Sequence, residues 1–245
     1  MIRRGLPIAR YLIPVLGIVT LDTAFPRIPG DLGSPATFAF PVRHAVVRGA
    51  IVDEIVHRRN DEWLTAFTEA ARSLAFAGCA GITTTCGFLV RWQATLAEAS
   101  PVPVLTSSLL QLPLVQATLP AGKRVGVVTY SEHDLDGDAL DAANAPRDTP
   151  VVGVDERSYF ARTIRHGAAT LDRNRMEADT VAAARRLVAT HADIGAIVLE
   201  CANMPPYANA VAKATGLPVF EAANLAAWFY AAVDRGSDAQ GARWD

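Results

Sequence analysis

Short apolar runs alternate with amphipathic stretches along the 245-residue chain, which predicts an α/β fold with mostly parallel sheet. Apolar runs place strands near 13–21, 81–85, 102–106, 124–129, 150–154, 195–200 and 218–220. Helical spacing places helices over 61–77, 88–99, 107–118, 176–191, 205–215 and 223–234. In the first of these, Trp63, Leu64, Phe67, Ala71 and Leu74 share one face, with Asp61 suited to cap its start and Gly78 its end. Pro205 and Pro206 fit a first helical turn, where a missing N–H costs nothing, and Gly216 closes that helix. Residues 131–149 are polar and turn-rich, and predict a loop with about one helical turn over the surface or a site mouth.

The same series of elements occurs twice. "EAARSLAFAGCAGITTTCGF" runs helix, glycine, apolar strand, cysteine, helix, and "AAARRLVATHADIGAIVLECAN" repeats it with two extra residues between helix and strand. Leu74 to Cys86 spans 12 positions and Leu187 to Cys201 spans 14. Each half thus sets one cysteine at the carboxyl end of a parallel strand, where open α/β sheets bind their ligands. Two such halves facing one another bring both sulfurs to one cleft.

Composition narrows the function. The chain is 51% hydrophobic and 20% charged, enough to bury a sizeable core. A formal charge of -2 and a pI of about 6.2 give no electrostatic case for nucleic acid or an anionic membrane surface. Three cysteines without a C-x-x-C pair, and five scattered histidines, offer neither a disulfide framework nor a zinc spacing. An odd cysteine count fits a reducing compartment, and the expected location is the cytoplasm. Arg3 and Arg4 before "YLIPVLGIVTL" imitate an export signal, but no small-x-small site follows and the run is too short for a membrane span. Residues 13–21 are therefore read as the first core strand.

A cysteine just before a helix meets unpaired backbone N–H groups and the positive end of the helix dipole. Both favour thiolate, and they predict a pKa lowered from about 8.5 toward neutrality. Two such thiols on opposite faces of one carbon can remove a proton from one side and return it on the other. That is stereoinversion without metal or cofactor. Cys79, at a helix–strand junction, is read as structural. Thr84 and Thr85 lead into Cys86-Gly87, where hydroxyls and a close backbone approach suit a carboxylate, and Asn203 offers an amide donor. The threonines serve equally as strand residues, and Asn203 as a helix cap.

"TTTCGF" and "LECANMPPY", each ending a strand, resemble the paired cysteine motifs of the cofactor-independent aspartate/glutamate racemase superfamily, and "LGIVTLDTAFPRIPGDLGSPATFAFPV" resembles an amino-terminal segment of one of its branches. The resemblance implies two pseudo-symmetric flavodoxin-like lobes with the substrate between them and no pyridoxal phosphate. Residues 1–115 with 215–245 would form the lobe carrying Cys86, and 116–214 the lobe carrying Cys201. Those two cysteines would be the acid–base thiols of a racemase or epimerase acting on a carbon α to a carboxylate. Gly87 stands where glutamate racemases have asparagine and Ala202 where they have threonine, which argues against strict glutamate or aspartate specificity. Asp22 and Thr23 resemble the Asp-Ser pair that assists one thiol, and Arg27 is a candidate to clamp a carboxylate or, equally, an exposed loop arginine. Hydantoin racemases, maleate cis–trans isomerases and arylmalonate decarboxylases share the scaffold. So does a binding protein that has lost the chemistry. A homodimer is compatible with the family.

Overall fold

The computed structural model describes residues 13–234; Arg3 and Arg4 lie outside them. Eight strands form two parallel sheets of four. The first contains β1 (Val15–Leu21), β2 (Val42–Val47), β3 (Cys79–Thr84) and β4 (Val104–Leu105) in the order β2-β1-β3-β4. The second contains β5 (Arg124–Thr129), β6 (Val151–Gly153), β7 (Ile194–Leu199) and β8 (Val219–Phe220) in the order β6-β5-β7-β8. Central strands such as "VLGIVTL" and "IGAIVL" are buried almost throughout, because helices cover both faces of a parallel sheet.

The internal repeat extends to the packing. Helix α1 (Leu64–Phe76) buries Phe67, Ala71 and Leu74, while α6 (Arg173–Thr190) buries Met176, Ala183, Ala184 and Leu187. Gly17 in β1 lies under Leu74, where a β-carbon would sit 3.1 Å from the leucine and 2.6 Å from Ile82. Gly126 in β5 lies under Leu187 in the same way, at 2.8 Å, with Ile194 at 3.0 Å. The β1/β3 register shifts between Val15 and Leu16, and the β5/β7 register between Arg124 and Val125. The two lobes are copies of one plan.

Several helices start as tight 3₁₀ turns: residues 87–92 lead into α2 (Gln93–Ala99), 108–111 into α3 (Leu112–Thr118), and 205–207 into α7 (Ala208–Thr215). Helix α3 carries the chain between lobes, its Gln116 accepting from Val125 N–H at 3.0 Å. The polar stretch after β5 contains α4 (Gly137–Ala142), capped by Asp136, whose side chain accepts from Ala139 N–H at 3.1 Å.

Three elements depart from the sequence pattern. Strand β2 was not expected: it is an edge strand, half exposed, and "VRHAVV" lacks a clean period. Helix α5 (Tyr159–His166) was also unexpected; Ser158 caps it and Gly167 ends it at φ 75°. Finally, Val219 and Phe220 pair with β7, so the chain returns to the first lobe after them rather than near 215. The return is α8 (Ala222–Val233), which packs Ala226, Phe229 and Tyr230 around Leu16. Among the described residues no helix is long and apolar enough to cross a membrane.

Candidate active site

The two strand-end turns are built alike. Thr85 N–H donates to Val19 O at 3.0 Å, and Glu200 N–H donates to Val128 O at 2.8 Å. One residue later come Cys86 and Cys201. Cys86 is extended (φ -141°, ψ 111°) and opens the turn at 87–92. Leu89 N–H donates to Cys86 O at 3.1 Å, and Met204 N–H donates to Cys201 O at 2.9 Å, so the same i to i+3 bond closes both turns. The Cys201 thiol also donates to Asn203 Oδ1 at 3.5 Å.

Both cysteines line one cavity between the lobes. Of the sequence-derived candidates, Thr23, Arg27, Thr85, Gly87 and Asn203 line it as well. Arg27 donates to Asp31 at 3.0 Å and to Thr23 Oγ1 at 2.8 Å, and Asn203 donates to the same Asp31 at 2.6 Å. Arg27 and Asn203 are thereby joined through one buried carboxylate. Two candidates fall elsewhere. Asp22 accepts from Gly49 N–H at 3.0 Å and faces Arg48 at 3.6 Å, beside an outer surface groove. Thr84 donates to Thr106 O at 2.6 Å and fixes the turn from behind. Cys79 is buried at the other end of β3, away from the cavity.

Sequence reasoning missed much of the wall. Leu21, Phe25, Val52, Val56, Phe88 and Ile164 make it largely apolar, with Tyr130 as a further aromatic side. It also missed Glu200, although a charge at the end of an apolar strand was a visible signal. Glu200 is 1% exposed. Its Oε2 accepts from Thr129 Oγ1 at 2.8 Å, while Oε1 is buried without a partner. Burial pushes its carboxyl up from 4.5 to about 7.

The thiols depart from expectation. Burial, and then the charge of Glu200, push Cys86 up to about 12, and Cys201 moves in the same direction for the same two reasons. Helix-end N–H groups do act on both sulfurs in the opposite sense, but desolvation outweighs them. At rest the cavity therefore holds two protonated thiols above one acid.

Comparison with known proteins follows the same lines. A family model described as Asp/Glu/hydantoin racemase matches residues 44–230. Dimethylsulfoniopropionate lyase 7 of Emiliania huxleyi (strain CCMP1516) is 33% identical over 245 residues, covering 90% of this chain and 67% of that protein. The dimethylsulfoniopropionate lyase of Durusdinium sp. clade D is 30% identical over 223 residues, covering 87% and 73%. Across such lyases the chain spans between 45% and 73% of the relative's length. In structure, a sulfate-associated variant of arylmalonate decarboxylase superposes with a TM-score of 0.62 at 17% identity, over 94% of this chain and 95% of the other.

Proposed function

This chain belongs to the Asp/Glu/hydantoin racemase family, and from that premise we propose that it is a lyase: it removes a proton α to a carboxylate and expels a neutral thioether from the β-carbon, with a dimethylsulfoniopropionate-like substrate. One observation carries the choice of elimination over racemisation, namely what the cavity offers to a positive charge. An α-ammonium group has three N–H donors that need acceptors once buried. Among the described residues that line the cavity, Glu200 is the one carboxylate, and its free oxygen is packed against Gly87; the other acceptors, Thr85 Oγ1 and Asn203 Oδ1 among them, are neutral. A dimethylsulfonium has no N–H donors. Phe88 and Tyr130, with the aliphatic wall, are the groups to hold it, the Phe25 ring being covered by the Arg27 guanidinium at 4.5 Å. The dimethylsulfoniopropionate lyases at 30% and 33% identity support the same reading.

The chemistry follows from the thiols. A thiolate of the Cys86/Cys201 pair takes the α-proton, the electrons form the Cα–Cβ double bond, and the β-carbon–sulfur bond breaks. Dimethyl sulfide leaves with the bonding pair, an unsaturated carboxylate remains, and the thiol later returns its proton to water. Both thiols are held protonated at rest, and an arriving sulfonium stabilises the thiolate beside it. Arg27, Asn203 and the N–H groups of the turn after Cys86 are the groups suited to the carboxylate. Elimination needs one base, so the second cysteine serves as a proton donor or as part of the wall.

Purified protein given dimethylsulfoniopropionate should release dimethyl sulfide into the headspace and leave acrylate in solution. Failure to do so, together with racemisation of an amino acid seen by chiral chromatography, would return the chain to the two-thiol isomerase reading. That second reading is favoured by one fact: both cysteines line the same cavity.

A further inference from the structure

Tyr130 is tied to a chain of polar groups that α-deprotonation does not use. A π-helical turn at Asp53–His57 in the first lobe presents His57 to the second, and such turns are frequent at functional sites. His57 Nδ1 lies 2.7 Å from Asp134 Oδ2, and Nε2 lies 3.1 Å from the Tyr130 hydroxyl. The Asp134 side chain is 9% exposed and also accepts from Ser131 Oγ at 2.6 Å. Asp134 thus holds one ring nitrogen, while Nε2 meets the Tyr130 hydroxyl and faces Asp53 Oδ1 at 3.9 Å. What Tyr130 offers the cavity is its aromatic ring, with the hydroxyl engaged by His57. Of the charges around Tyr130, Asp53 and Asp134 stand against Arg165, which is itself paired with Asp53 at 2.8 Å, while the cavity's own cation, Arg27, sits over the Phe25 ring.

We propose that Tyr130, aligned by His57 and Asp134, is the specificity-determining wall that receives the positively charged sulfonium group. The assignment rests on the elimination reading above and goes beyond it by naming the residue that selects an onium over a neutral group of the same shape. His57 acts as a positioning residue, since it touches Tyr130 and not the ligand.

The test compares the dimethylsulfonium substrate with 4-methylpentanoate, in which a neutral carbon replaces the charged sulfur. Calorimetry on the full chain should show the sulfonium compound binding the wild type at least about tenfold more tightly. Tyr130→Phe should raise KM for the sulfonium compound about tenfold with kcat within about threefold, and Tyr130→Leu should raise it further. The inhibition constant of 4-methylpentanoate should stay within about twofold in both variants, which also reports an intact cavity. His57→Gln should shift the same KM in the same direction by less. Equal affinity of the wild type for the two ligands would overturn the proposal, as would parallel changes in KM and inhibition constant. Binding preference without any thioether release would leave Tyr130's role standing and remove only the elimination reading.

Discussion

Oε1 of Glu200 lies so close to the backbone of Gly87 that a β-carbon at residue 87 would sit 2.1 Å from it. The glycine and the acid are therefore one unit. Where a glutamate racemase has asparagine, this chain has no room for any side chain, because the space is filled from the other lobe by Glu200. The departure from the family pattern at residue 87 and the charge at residue 200 have a single steric cause.

Gly87→Ala should accordingly cost roughly 1–3 kcal/mol, the usual range for forcing a methyl into a packed interior, and most of the activity. Adding Glu200→Ala should recover part of the loss. Full recovery is not expected, since the Glu200 backbone oxygen would still lie 2.7 Å from the new carbon. Urea unfolding of the single and double variants measures the coupling, and strictly additive losses would show that the two residues do not meet.

The cysteine variants separate one-base from two-base chemistry. Elimination predicts an asymmetric result: either Cys86→Ala or Cys201→Ala loses at least about a thousandfold in thioether release, while the other stays within about tenfold. Equal and complete loss in both would point to the racemase mechanism. Cys79→Ala should leave turnover unchanged.

Burial raises the Glu200 carboxyl from 4.5 to about 7. The native state then holds this proton more tightly than the unfolded chain. Its stabilising effect is present in full below pH 4.5 and is lost as the pH rises through about 7. Glu200→Gln carries no such slope. Between pH 4.5 and 8 the difference in unfolding free energy should move by roughly 3 kcal/mol in favour of the glutamine variant. A difference that stays constant with pH would mean that the carboxyl titrates as an ordinary one.

The same acid governs the thiols. Its negative charge is the second cause, after burial, of the high pKa of both cysteines. Wild-type kcat/KM should therefore climb with pH through neutrality into the alkaline range. In Glu200→Gln the rising limb should move to lower pH, and an unmoved limb would separate Glu200 from the base.

Arg27→Ala removes the partner of Asp31, whose side chain is 4% exposed. Asp31 keeps the Asn203 amide and the Gly33 N–H as donors, so the loss should fall below the cost of a buried charge left wholly unpaired, about 3–5 kcal/mol, and KM for the carboxylate substrate should rise as well. Asp31→Asn in the same chain should restore most of the stability and little of the KM. Recovery of both together would make Arg27 a purely structural residue.

Much of this architecture was legible in the chain. Leu74 and Leu187 mark equivalent helix positions, and counting forward from each reaches a cysteine at a strand end. The pairing of those cysteines in one cavity needed no more than that repeat and the parallel topology. What could not be read was set by contacts without a local signature. His57 and Asp134 are far apart in the sequence, and nothing near either one announces the other. β2 was missed because an edge strand with a mixed pattern lacks a period. The direction of the thiol shift was misjudged for a related reason: a helix start is visible in sequence, whereas the depth of burial that overrides it is not.

Thr85 and Glu200 occupy the same slot in the two lobes, yet one is a hydroxyl and the other an acid. The two faces of a bound guest thus meet different groups, which widens the difference that any pocket of L-residues makes between the two hydrogens on a prochiral carbon. A guest labelled with deuterium at just one of them would lose the label from one isotopomer and keep it in the other.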